Sequence, residues 1–326
     1  MPFQQRASIF TMLRNPEIKL FPSALSLLAA VATLLAAGSG LSAQTEAPDA
    51  ATTYKFTSFQ PFAATTFSVA AIDNGGAVTG YYLNSSKVYE GYERSATGTF
   101  TIIDDSKTSN TEAAGIDSKG TEIVGNVCIK VECQGASETT PETERHGCVC
   151  ENTAGFLYKN SAFTQYEFEK VPNTAIDAIN DNGVFVGSYV DPTTKLSTGF
   201  ISNGNTISYE GKATTLSAIN DNGIIIGSGA GSFRANTSGK ILATFKFPGA
   251  TSTTAWGINS LGVVVGWFVD SSGLTHGFTL QKGTYAQVDA PGTNGTTACH
   301  GINDSGTITG TYLDASDKLW GFIATP

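Results

Sequence analysis

From residue 54 onward, short β-branched and aromatic runs alternate with polar turns of Asn, Asp, Ser and Gly. Val263-Val264-Val265 and Thr307-Ile308-Thr309 are typical runs, and each is bounded by turn residues. Strands this short, with turn signals every 8–12 residues, read as an all-β chain. The pattern also repeats. Ile179-Asn180-Asp181-Asn182-Gly183 is followed four residues later by Gly187, and Ile219-Asn220-Asp221-Asn222-Gly223 by Gly227. The same signal returns as Ile258-Asn259-Ser260-Leu261-Gly262 with Gly266, and as Ile302-Asn303-Asp304-Ser305-Gly306 with Gly310. Two more worn copies precede them, Ile72-Asp73-Asn74-Gly75-Gly76 with Gly80 and Ile116-Asp117-Ser118-Lys119-Gly120 with Gly125. Spacings between the leading isoleucines are 44, 63, 40, 39 and 44, so there are six copies and one insertion.

Each copy divides into four strands. The first ends at the Ile, and the Asn-Asp-x-Gly that follows suits a tight hairpin, because these residues tolerate positive φ. The second strand runs through the next Gly to an aromatic-rich end such as Trp267-Phe268. Gly91-Tyr92, Gly155-Phe156, Gly199-Phe200, Ser232-Phe233, Gly277-Phe278 and Gly321-Phe322 mark the third. A fourth resembles Tyr285-Ala286-Gln287-Val288-Asp289. The last copy stops after its third strand, and the missing strand stands at the other end, as Tyr54-Lys55-Phe56-Thr57-Ser58-Phe59. Its phase is right: Pro61 lies eleven residues before Ile72, as Pro291 lies eleven before Ile302. Such a split closes a ring and hides sheet edges, so the expectation is a six-bladed β-propeller of four-stranded blades over residues 54–326. The residue before each leading Ile is Ala71, Gly115, Ala178, Ala218, Gly257 or Gly301, as crowded innermost strands require.

The repeat unit, Ile-Asn-Asp-x-Gly-x-x-x-Gly followed by an x-Gly-Phe strand, resembles the bacterial extracellular repeat family named HAF. The resemblance spans roughly residues 54–326, although only His276-Gly277-Phe278 keeps the His of the name-giving triplet and Gly replaces its Ala. It implies secretion and a β-repeat fold, and it supplies no catalytic residues.

Composition agrees with strand and turn: 36 Gly, and charged residues at only 14%. The formal net charge of −9 and the lack of any Lys/Arg-rich run argue against nucleic acid and anionic lipid as partners. Residues 1–43 read as a signal peptide. Arg6, Arg14 and Lys19 precede an apolar stretch from Ala24 to Ala37, and Leu41-Ser42-Ala43 offers a cleavage site. An uncleaved anchor is the alternative, but the apolar core is shorter than the ~20 residues a spanning helix needs. Residues 44–53 read as a short linker. The mature chain then carries a net charge of −11, with no membrane span, and is expected to be a secreted or periplasmic monomer.

Four cysteines, Cys128, Cys133, Cys148 and Cys150, fall in an insertion at 127–153, and Cys299 stands apart. With His146 nearby their spacing resembles a zinc site, but an exported chain favours disulfides. Nested bridges Cys128–Cys150 and Cys133–Cys148 suit a hairpin-like excursion, with a bulge to reconcile strand parity. Cys299, where other copies carry Val69, Ala113, Ile176, Leu216 and Ala255, reads as a buried thiol. The Asn-Asp-x-Gly turns hold oxygen ligands, yet six separate turns do not converge as a calcium loop does, so no metal or cofactor is assigned.

No nucleophile elbow, P-loop or His-Glu-x-x-His motif is present. One position varies chemically among the copies: two residues before the leading Ile lie Ala70, Ala114, Asp177, Ser217, Trp256 and His300. If the first strands line the axis, Asp177, Trp256 and His300 gather at one opening as a ligand-binding site, with inter-blade packing as the competing explanation. Two function classes follow. One is a non-enzymatic surface or matrix module that binds an extracellular glycan or protein. The other is a glycosidase or lyase, which needs paired carboxylates near the axis and is disfavoured by the single axial acid, Asp177.

Overall fold

The structure, a computed structural model, describes residues 52–108, 110–133 and 148–326, with backbone alone at 132–133 and 148–149. The expected signal peptide and most of the linker lie outside the described residues. The chain is all-β. Among the described residues the only helices are single 3-10 turns at Pro61–Ala63 and Phe168–Lys170.

Strand β1 (Lys55–Phe59) precedes the first repeat, which comprises β2 (Phe67–Ile72), β3 (Val78–Leu83), β4 (Tyr89–Arg94) and β5 (Phe100–Ile103). The second comprises β6 (Thr111–Ile116), β7 (Ile123–Cys133), β8 (Cys148–Lys159) and β9 (Ala162–Tyr166). The third has β10 (Thr174–Ile179), β11 (Phe185–Val190), β12 (Ser197–Ile201) and β13 (Thr206–Ile207). The fourth has β14 (Thr215–Ile219), β15 (Ile224–Ser228), β16 (Ser232–Asn236) and β17 (Ile241–Phe245). The fifth has β18 (Ser252–Ile258), β19 (Val264–Val269), β20 (Thr275–Gln281) and β21 (Thr284–Val288). The last repeat supplies β22 (Thr293–Ile302), β23 (Ile308–Asp314) and β24 (Leu319–Thr325). In every repeat the innermost strand ends at the leading Ile, as the repeat pattern requires.

These strands form a β-propeller of four-stranded blades. The first four repeats are separate four-stranded antiparallel sheets, whereas the remaining eight strands form one sheet. The expectation of six separate blades is therefore corrected to four, plus this eight-stranded sheet. The cause is local. Strand β22 starts early, and its Thr296 reaches Thr275 of β20 in a single parallel pair that joins the fifth and sixth repeats. At the chain ends, β1 pairs antiparallel with β24, from Lys55 opposite Thr325 to Phe59 opposite Gly321. The N-terminal strand thus completes the last repeat.

The third-strand aromatics build the core. Tyr92, Phe156, Phe200, Phe233, Phe278 and Phe322 are all fully buried, each contributing on the order of 2–3 kcal/mol of apolar burial. The Gly beside each aromatic gives the next repeat room. A Cβ at Gly277 would lie 2.6 Å from Cys299 Sγ, and one at Gly155 would lie 2.4 Å from Ile176. Where Ser232 replaces that Gly, the facing residue is the small Ala255, whose N–H donates to Ser232 Oγ at 3.0 Å. Cys299 is a buried free thiol, as expected, and burial pushes its pKa up.

The insertion prolongs β7 and β8 into a long hairpin. Cys128 and Cys150 form a disulfide across it, and the register shifts once at Ile129 of β7, which reconciles the parity of Cys128 and Cys133, and once at Glu151 of β8. Cys133 and Cys148 face each other in backbone register. The second bridge falls on side chains outside the described residues. No helix among the described residues is long and apolar enough to cross a membrane.

Deleting residues 54–60 should abolish cooperative unfolding, because β24 loses its outer partner and becomes an exposed edge, and Phe59, 7% exposed, leaves the core. Thermal melts followed by circular dichroism test this, and an unchanged transition would disprove the closure.

Candidate functional site

Each innermost strand carries the same irregularity. Pairing with the second strand skips one residue: between Val69 and Ala71, Ala113 and Gly115, Ile176 and Ala178, Leu216 and Ala218, Ala255 and Gly257, and Cys299 and Gly301. The skipped residues are Ala70, Ala114, Asp177, Ser217, Trp256 and His300, the chemically variable set. A bulge leaves its extra residue out of the ladder and re-aims its side chain. All six line one cavity of about 70 Å³ at an end of the axis, floored by the leading isoleucines. That volume holds a few water molecules, so any larger ligand sits on the mouth rather than inside.

Asp177, Trp256 and His300 are each half-buried, neither sealed between blades nor fully exposed. The Trp256 ring lies 5.2 Å from Trp267 and 6.2 Å from the His300 imidazole, with Trp267 and His300 5.6 Å apart edge to face. This aromatic cluster occupies the fifth and sixth repeats. Asp177 and Ser217, on the third and fourth, make the polar side, and Ser217 Oγ donates to the Ile226 carbonyl at 3.5 Å. On the first and second repeats the side chains shrink to Ala70 and Ala114. Trp267, on the second strand opposite Thr254, belongs to the cluster but escaped the sequence reading, which considered only the innermost strand.

His300 has a defined tautomer. Its Nδ1 hydrogen-bonds the Val69 carbonyl of the first repeat, and a carbonyl only accepts, so Nδ1 carries the proton. Burial pushes the His300 pKa down, against a smaller opposing effect of that hydrogen bond. The ring is thus neutral at pH 7, and Nε2 is left as an acceptor. His300 therefore also clasps two repeats, as inter-blade packing would have it.

The opposite end of the axis holds a cavity of about 60 Å³ lined by the same isoleucines and by the turns that follow them. Here the Asn of each strong repeat does two jobs. Asn220 Oδ1 accepts the N–H groups of Asn222 and Ile224, closing its own turn. Its Nδ2 donates to the Asn259 carbonyl of the next repeat at 2.9 Å. Asn180, Asn259 and Asn303 donate likewise to Asn220, Asn303 and Asp73, at 3.0, 3.0 and 2.9 Å. Sequence reasoning found the turn but not this link between repeats. Two worn copies break the belt, because Asp73 and Asp117 lack the amide donor. Asp117 Oδ2 instead accepts from Thr121 Oγ1 at 2.6 Å, the hydroxyl coming from the turn with the extra residue. Asp73 is buried, with one oxygen against Gly120 of the next repeat, and burial raises its pKa.

No protein-family model matches the chain, and no curated protein matches it. Among solved structures, a putative TolB from Agrobacterium tumefaciens is similar with a TM-score of 0.50 at 11% identity, over 80% of this chain and 91% of that one. TolB from Acinetobacter baumannii gives 0.47 at 10% identity over 78% of this chain. The match takes in 64% of that protein, so the chain spans under two thirds of its length. A lectin from Aleuria aurantia gives 0.47 at 11% identity, over 79% of this chain and 91% of the lectin. At these identities the likeness extends to the fold alone.

Two outcomes follow from the charges on the axis. Asp73→Asn should stabilise the protein by about 1 kcal/mol at pH 7 by restoring an amide donor to the belt. A carboxyl with a raised native pKa loses stability as pH climbs from about 4 through that native value. The gain should therefore vanish below pH 4, and urea unfolding showing no gain at pH 7 would refute the account. For His300, whose native pKa is depressed, stability is lost as pH falls below about 6.5. His300→Gln should flatten that part of the pH–stability curve, whereas an unchanged slope would mean His300 is not held neutral.

Proposed function

We propose that this protein is a secreted, non-enzymatic binding module that engages an extracellular glycan through the mouth carrying Asp177, Trp256 and His300. The single observation that carries the reading is the bulge. The same structural irregularity occurs in all six repeats, and three of them place there a large or polar residue rather than a small one. The bond to Val69 gives His300 a packing reason, but packing alone gives little reason for a Trp and an Asp at equivalent positions of a repeat that otherwise prefers Ala or Ser. An indole offers a flat apolar face for a sugar ring, and carboxylate and imidazole groups bond hydroxyls.

Binding is favoured over hydrolysis because Asp177 is the sole carboxylate lining this cavity among the described residues. Two-carboxylate glycoside hydrolysis needs a second, about 5–9.5 Å away. The eight-stranded sheet is read here as two blades joined at one pair of residues, which makes the ring six-membered. Membership of the HAF repeat family is part of the same proposal, as is export. The Cys128–Cys150 disulfide fits an oxidising compartment, periplasmic or extracellular.

A polysaccharide array scored for both retention and product release tests the reading. Retention without product is expected, and Trp256→Ala should abolish it while costing less than about 1.5 kcal/mol of stability. Released product would transfer the protein to the enzyme class. A much larger loss of stability would make Trp256 a core residue and remove the site.

A further inference from the structure

Each second strand starts at the turn after a leading Ile and runs back along the axis, so the turns into the third strands stand on the face that carries the mouth. Three of these turns begin with an Asx residue whose Oδ1 closes the turn from within. Asn84 Oδ1 accepts the N–H groups of Ser86 and Val88, Asp270 Oδ1 those of Ser272 and Leu274, and Asp314 Oδ1 those of Ser316 and Lys318, at 2.8–3.1 Å. The other polar atom of each Asx meets the residue six positions on, the one that precedes the third-strand Gly. Asn84 Nδ2 donates to Glu90 Oε1 at 2.6 Å, Trp320 Nε1 donates to Asp314 Oδ2 at 2.9 Å, and His276 Nε2 lies 3.5 Å from Asp270 Oδ2. Each of these long side chains stands opposite a second-strand aromatic: Tyr82, Tyr312 and Phe268 respectively. The other three repeats carry the short Ala154, Thr198 and Gly231 at that position.

The three repeats so equipped are the fifth, sixth and first, and two of them hold Trp256, Trp267 and His300. His276 does more than its counterparts. Its Nδ1 donates to Asp289 Oδ2 at 2.8 Å, where the chain leaves β21 for the sixth repeat. Gln287 Nε2 donates to the same oxygen at 2.6 Å, while Asp289 Oδ1 is buried without a partner among the described residues. Asp289 is thus held through one oxygen only. Thr275, beside His276, makes the single pair with Thr296 that joins the two repeats.

We propose that the residue before the third-strand Gly is a clasp that fixes the mouth-face turns on the side of the aromatic cluster, and that His276 is a double clasp, holding its own turn through Asp270 and the connection into the sixth repeat through Asp289. A turn whose Asx carboxylate is anchored from outside keeps both internal hydrogen bonds, and charge-assisted bonds of this kind are the stronger ones. The clasps are positioning residues, and they act whatever the mouth binds.

Hydrogen exchange resolved at single amides of the intact protein is the test. In His276→Ala, the Ser272 and Leu274 amides should exchange at least about fivefold faster, and so should Ala290, whose N–H donates to Thr297 Oγ1. Ile224 of the fourth repeat, its N–H bonded to Asn220 Oδ1, is the reference and should keep its rate. His276→Trp should restore Ser272 and Leu274 but leave Ala290 fast, because an indole has one N–H and the sixth repeat already seats Trp320 at this position. Trp320→Phe keeps a ring and removes the donor, so Ser316 and Lys318 alone should speed up. Unchanged exchange in His276→Ala or in Trp320→Phe would overturn the clasp. Equal acceleration at Ile224 would make His276 a contributor to global stability and refute a local device. Recovery of Ala290 in His276→Trp would show that ring bulk, rather than the bond to Asp289, holds the connection, and would overturn the double clasp.

Discussion

The structure depends on how six innermost strands share one axis. In an uninterrupted strand, residues two apart face the same side. Here they do not. Val69 packs over Gly321 of the preceding repeat, whereas the residue equivalent to Ala71 in the second repeat, Gly115, abuts Ala178 of the following one. The bulge between those positions reverses the parity, so each innermost strand grips both neighbours. Crowding then dictates composition. A Cβ on Gly115 would come within 2.9 Å of the Ala178 backbone, and one on Gly257 within 2.6 Å of the His300 carbonyl. Second-strand glycines answer the same geometry, since a Cβ at Gly266 would sit 2.0 Å from the Thr254 carbonyl.

The polar contacts of the axis follow from this arrangement. Once the innermost strands end together, their Asn turns lie side by side, and each amide finds the next repeat's carbonyl within 3.0 Å. Buried amide groups left without partners cost about 1–3 kcal/mol each, so the belt both satisfies the turns and holds the ring's register. At the other end, the His300–Val69 hydrogen bond joins the last repeat to the first, beside the closure made by β1 and β24. Junctions between different repeats thus use different chemistry: amide, imidazole, or backbone, as where the Asn74 N–H donates to the Ser118 carbonyl at 2.9 Å.

Much of this was legible in the sequence because repetition amplifies weak signals. Strand ends at the leading isoleucines, the Gly-Phe core, the N-terminal strand beside the C-terminal one and the buried Cys299 all follow from aligning copies. What did not follow has a common origin. A bulge leaves no composition signature of its own, because any side chain that points out of the ladder is tolerated there. Only the variability of Ala70, Ala114, Asp177, Ser217, Trp256 and His300 hinted at it. The union of the fifth and sixth repeats likewise turns on one pair, Thr275 and Thr296, which no periodicity marks. The belt was missed because the Asn in each turn already had a sufficient local reason to be there.

That last point explains where a repeat protein can host a site. Positions with two structural duties, such as the Asn of the turn or the Gly of the third strand, cannot drift without cost to both. The exceptions are Asp73 and Asp117 in place of Asn and Ser232 in place of Gly; at Asp117 the change comes with the Thr121 hydroxyl and at Ser232 with the Ala255 N–H. A bulged residue stands out of the ladder, although His300 uses that position to bond the Val69 carbonyl of the first repeat. It is free to change, and because ring symmetry gathers six such residues at one mouth, changes in three of them are enough to make an asymmetric surface. Asp177, Trp256 and His300 therefore stand where the strand ladder sets the side chain least and the ring brings six positions to one mouth.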